Sequence, residues 1–111
     1  KNISYKKGRL TFETASFLLT QKNELLVYII YSQNSDIYYK GESENPYERL
    51  IAHNSGLSKF TKDKGPWELV FLQELANRSE ALKREKQIKK LNLRSIRILL
   101  DSDLNIVRKK N

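Results

Sequence analysis

A chain of 111 residues, 39% hydrophobic and 31% charged, has room for one modest globular core and is too apolar to be disordered. With no cysteine and a single histidine, it has no disulfide, thiolate metal site or cysteine nucleophile, and no zinc site built on several histidines. No apolar run approaches the roughly 18–20 residues that span a bilayer, so no membrane partner is expected, and the lack of cysteine fits a reducing cytoplasm as the expected location.

Residues 1–24 show no clean periodicity and are read as an N-terminal extension. The run Leu25–Tyr31 is β-branched and aromatic, which favours a strand. Gln33–Asp36 reads as a turn and Ile37–Gly41 as a second strand, so the two form a hairpin. A helix follows, with Asn45 as cap, Pro46 at the first helical position and Gly56 just past its end. Its apolar stripe is Tyr47, Leu50 and Ile51. After a polar loop, a third strand opens near Pro66, with Trp67, Leu69 and Phe71 alternating with Glu68 and Val70.

A second helix starts after Asn77 and runs to about Leu91, and Asn92–Leu100 reads as a third, shorter one. The expected domain spans 25–101, and residues 102–111 are expected to be a frayed basic tail. The order strand, strand, helix, strand, helix, helix implies an α+β (α/β) fold: a small three-stranded sheet flanked by helices.

The net charge of +8 is unevenly spread: residues 75–111 carry eleven basic and four acidic side chains, and residues 25–74 carry five and seven. One face meeting a polyanion accounts for this pattern, and so does a solvated helix surface.

Glu85 is the most telling single residue. At about 100° per residue it falls between Ala81, Leu82 and Ile88, inside the apolar stripe of its helix. A desolvated carboxylate needs a cation or strong donors. Two readings follow, a salt bridge to a lysine or arginine at the stripe's edge or a metal ligand facing a cleft. Arg49 and His53, four residues apart, share one helix face at the edge of the core. A guanidinium placed there can fork onto a phosphate, or it can simply be a surface arginine. Tyr28, Tyr31, Tyr38 and Tyr39 cluster on the hairpin, where aromatics are also ordinary strand residues.

These blocks together resemble the GIY-YIG nuclease family. The resemblance rests on Leu26-Val27-Tyr28, Tyr38-Tyr39-Lys40-Gly41, Asn45–Leu50, His53–Gly56, Lys59–Lys62, Pro66–Val70 and Ser79–Glu85, in family order. It is closest to the small stand-alone bacterial branch, similar to the N-terminal nuclease domain of the excision-repair endonuclease. The resemblance implies a metal-dependent DNA endonuclease, structure-selective and linked to repair or recombination, with Mg²⁺ or Mn²⁺ on Glu85. Arg49 would offset phosphorane charge, and Tyr39 would orient or deprotonate water with Tyr28 and His53 in support.

Lys40, Lys59, Lys62, Lys64, Arg84 and Lys89 are the expected DNA contacts, and a protein partner is the expected source of specificity. Lys40 should point away from Tyr39 by strand alternation. Glu42 stands where some relatives carry lysine and is expected to weaken phosphate binding. The alternative is a nucleic-acid-binding module on the same fold without turnover.

Overall fold

The computed structural model describes residues 25–109; the expected N-terminal extension lies outside the described residues. The β-branched run forms strand β1, Leu25–Ser32, in which every residue but Tyr31 is buried. It is so apolar because it is the centre of a three-stranded sheet ordered β2-β1-β3, with both faces covered. Strand β2, Ile37–Ser43, and strand β3, Trp67–Leu75, both pair antiparallel to it.

The expected side-to-side alternation of the third strand does not hold. The register slips between Ile29 and Ile30, so that Ile29 faces Phe71 while Ile30 faces Leu69. Val70 is the extra residue of a β-bulge. It joins Phe71 on one face of the sheet, while Leu69 and Leu72 share the other.

Helix α1, Pro46–Asn54, begins where Asn45 accepts a hydrogen bond from the Glu48 N–H and ends before Gly56, whose φ of 78° suits a residue without a Cβ. It lies on the face bearing Leu26, Tyr28 and Ile30, with Leu50 packed inward. Ile51, expected in that stripe, is about half exposed. Helix α2, Arg78–Lys89, capped by Asn77, and helix α3, Leu93–Leu100, capped by Asn92, belong to the opposite face, where Ala81, Ile88 and Leu99 meet Val27, Ile29 and Phe71. Leu82, also expected in the apolar stripe, is exposed instead.

The expected frayed tail is corrected through residue 107. Asn105 is buried, accepts from the Leu72 and Val107 N–H groups, and donates to the Val70 and Leu100 carbonyls. One side-chain amide thus serves the backbone groups that the bulge displaces from the ladder. It holds a short helix α4, Ile106–Lys109, against β3, with Val107 in the core.

Candidate active site

Tyr28 and Gly41 are directly paired across β1 and β2. Because Gly41 has no side chain, the Tyr28 ring lies over it; a Cβ there would stand 2.6 Å from the phenol oxygen. The ring is thereby carried toward the β2 edge of the sheet, beneath α1. Its hydroxyl meets His53 Nε2 at 2.9 Å, and His53 Nδ1 meets Thr61 Oγ1 at 2.8 Å.

The proton positions follow from the end of this chain. Thr61 donates to the Ser58 carbonyl at 3.4 Å, so its oxygen accepts from His53 Nδ1–H. His53 Nε2 is then bare and accepts the Tyr28 proton. Burial, reinforced by the charge of Arg49, holds the His53 pKa down to about 4, so the imidazole is neutral at pH 7. The Tyr28 pKa is raised by burial; Arg49 works against that rise by hydrogen bonding and charge, while Tyr39 and Glu85 add to it. The exposed guanidinium on α1 and the carboxylate on α2 therefore both act on the same phenol.

Glu85 is largely covered, with its side chain 16% exposed, and Lys89 Nζ lies 3.6 Å from its Oε2. Of the two readings of Glu85, the ion pair is the one present in this structure. The lysine is 57% exposed, one helical turn away on a flexible stem, so the contact resembles an exchangeable surface pair more than a sealed one. Lys40 lies on this side too, its pKa lowered by burial and by Lys89. As alternation requires, it faces away from Tyr39, but it is half-buried rather than free on the surface. Glu42 pairs with Arg78 at 3.6 Å, an exposed partner as Lys89 is for Glu85.

Tyr39 is half-buried, its ring 4.9 Å from that of His53 and stacked on Phe60 at 5.5 Å. Lys59 and Lys62 are exposed in the loop beside it, and Lys64 lies over the Phe60 ring at 5.2 Å. Arg84 is not gathered into this group. It donates to Gln73 of β3 and to Gln87, and β3 is the opposite edge of the sheet from β2. Thr61 and Phe60 are the members that sequence reasoning missed. A buried threonine in a lysine-rich loop has no periodic signal, whereas the position of Phe60 beside three lysines was available as one. An open cleft of about 550 Å³ lies along α1 and the start of β3, lined by Tyr47, Leu50, Asn54 and Trp67. None of Tyr28, Arg49, His53 or Glu85 lines it.

The neutral buried histidine carries a pH prediction. An unfolded chain protonates it near 6.5, the folded chain only near 4. Its contribution to stability is complete above about pH 6.5 and is lost as pH falls toward 4. Thermal melts from pH 7 to 5 should show a falling midpoint that flattens in His53→Gln. A flat wild-type profile would mean that the ring is not buried neutral.

A three-stranded antiparallel sheet flanked by helices in this order is the fold of the GIY-YIG class. Residues 24–97 match the GIY-YIG catalytic domain model, and the chain belongs to that family, within its group of small bacterial UPF0213 proteins. A UPF0213 protein of Clostridium perfringens is 39% identical over 66 residues, 59% of this chain and 70% of the relative. One from Staphylococcus epidermidis is 41% identical over 64 residues, 57% of this chain and 77% of the relative. The solution NMR structure of the UPF0213 protein BH0048 from Bacillus halodurans has the same fold, with a TM-score of 0.50 at 24% identity, covering 80% of this chain and 95% of that one. Among the described residues no helix is long and apolar enough to cross a membrane.

Proposed function

We propose that this protein is a divalent-metal-dependent endonuclease that hydrolyses DNA phosphodiester bonds beside Tyr28, Arg49, His53 and Glu85. The observation that carries the reading is the chain Thr61–His53–Tyr28, whose phenol also feels the Arg49 and Glu85 charges. With its proton committed to His53, the Tyr28 oxygen has acceptor capacity that it shares between Arg49 and, where the substrate's phosphate draws the guanidinium away, an attacking water. That favours Tyr28 over Tyr39 for the water-orienting role suggested by the family resemblance. Arg49, exposed on α1 and hydrogen-bonded to the Tyr28 phenol, would fork its remaining N–H groups onto the scissile phosphate and offset its growing charge.

Among the described residues there is no group of three or more histidine, cysteine or acidic side chains placed to hold a metal ion. One carboxylate suits magnesium or manganese, which take few protein ligands and complete their shell with water and phosphate oxygens. Glu85 is the residue that would hold the ion, once Lys89 turns aside onto the DNA backbone. When bound, it would polarise the phosphate and stabilise the leaving oxygen. Lys40, Lys59, Lys62 and Lys64 would supply sequence-blind backbone affinity. Structure selectivity, a role in repair or recombination, a partner protein and a cytoplasmic site of action rest on the family resemblance alone.

The test is cleavage of labelled linear and branched DNA with Mg²⁺, Mn²⁺ or EDTA. Cleavage in either metal that stops with EDTA is the expected result. The Lys89–Glu85 contact favours a second reading, a binding module without turnover, which would retard DNA in a gel and leave it intact. Neither cleavage nor retardation would overturn both.

A further inference from the structure

Phe60 is 54% exposed, although its loop is firmly held. Thr61, the next residue, is buried on His53, and its carbonyl accepts from the Trp67 indole N–H at 3.2 Å. Lys62 N–H bonds back to Ser58 and Lys64 N–H to Thr61. Further along, the Lys64 carbonyl accepts from Ser35, and the Gly65 carbonyl from Asn34. This well-anchored loop displays the ring to water. Leu57 and Ile98 are more exposed still, so what distinguishes Phe60 is its surroundings.

What surrounds the ring defines what it would bind. One partner is Tyr39, stacked at 5.5 Å with an interplanar angle of 28°, so the platform is continuous with the Tyr28–His53 group. The other is the Lys64 ammonium at 5.2 Å, with Lys59 and Lys62 exposed on either side in sequence. An aromatic face with one ammonium over it and others near it in the loop matches a nucleotide whose base is out of its stack: the base takes the place of Lys64 on the ring, and the displaced ammonium meets the phosphate with Lys59 and Lys62. A base inside an intact duplex has both faces covered and offers nothing to such a platform.

We infer that Phe60 stacks an unpaired base next to the scissile phosphate, so that the preferred substrate is DNA with a single-stranded or frayed segment at the cut. This rests on the nuclease reading of the site, and it assigns Phe60 to substrate selection, with no part in the chemistry. Base–aromatic stacking is sequence-tolerant, so the selection is for strandedness rather than for a sequence.

The test separates binding from cutting. Oligonucleotides carrying 2-aminopurine, single-stranded, flapped or fully duplex, are titrated with the full chain in EDTA, and cleavage of the same set is followed in Mg²⁺. In the wild type, 2-aminopurine fluorescence should be quenched in the single-stranded and flap substrates only. Phe60→Leu, which keeps an apolar contact with Tyr39, should lose the quenching and weaken single-strand binding by about 10-fold, with duplex binding little changed. Phe60→Trp should restore both. A single-strand to duplex affinity ratio unchanged by Phe60→Leu overturns the platform even where cleavage in Mg²⁺ proceeds normally. Quenching that depends on Phe60, with no cleavage of any substrate, upholds the platform and removes the nuclease reading instead.

Discussion

Glu85→Gln should reduce DNA cleavage by about 1000-fold or more while leaving the fold almost untouched. The substitution keeps the side chain's volume and removes its charge. If Glu85 is the protein's ligand for a divalent ion, a neutral amide gives up most of the attraction for the metal and with it several kcal/mol of transition-state stabilisation. The stability side is small, because the ion pair that Glu85 makes among the described residues is with Lys89, 57% exposed one turn away. Such pairs contribute about 0.5 kcal/mol at most, a change of no more than about 3 °C in Tm for a domain of this size. Mn²⁺ binding, followed by its paramagnetic resonance signal without DNA, should weaken in parallel. A purely structural Glu85 gives the reverse pattern: a small loss of stability, unchanged metal binding and cleavage near wild type. Lys89→Met distinguishes the two further, because loss of a phosphate contact raises KM and flattens the salt dependence rather than lowering kcat.

That contrast bears on what could be read from the chain alone. Helical spacing was enough to put Glu85 where a bare carboxylate needs a cation, and both candidate cations, a neighbouring lysine and a metal, were written into that reading. The choice between them depends on side-chain rotamers one turn apart, which spacing does not encode. Helix starts were legible because Asn45, Asn77 and Asn92 each cap within their own local sequence. The bulge at Val70 was not, since two adjacent apolar residues on one face break the period that alternation relies on. Nor was the docking of Asn105, whose bonds to Val70 and Leu72 span more than thirty residues of chain. In the site, Tyr28, Arg49 and His53 were found by position. Thr61, which sets the histidine's tautomer, was missed because a hydroxyl's role is decided by what folds onto it. Arg84, read from its charge as a DNA contact, donates to Gln73 of β3, a neighbour that helical spacing does not reveal.

Gly41→Ala should damage both stability and cleavage, and the reason concerns space rather than backbone freedom. Gly41 is an ordinary strand residue paired with Tyr28, and among the described glycines the left-handed conformation belongs to Gly56. A Cβ at position 41 would meet the Tyr28 hydroxyl at 2.6 Å and Cζ at 2.7 Å, closer than carbon and oxygen approach without displacement. Tyr28 is fully buried, so the ring has little room to retreat, and overpacking of this kind costs about 1–3 kcal/mol. Any retreat moves the phenol off His53 Nε2, and a displacement near 1 Å from working geometry costs about 100-fold in rate. The double substitution with Tyr28→Phe tells the two effects apart. If Gly41 acts through the placement of that hydroxyl, adding Gly41→Ala to Tyr28→Phe should lower cleavage little further, so the losses fall well short of additive. Fully additive losses would mean that Gly41 serves the site by some route other than seating the tyrosine.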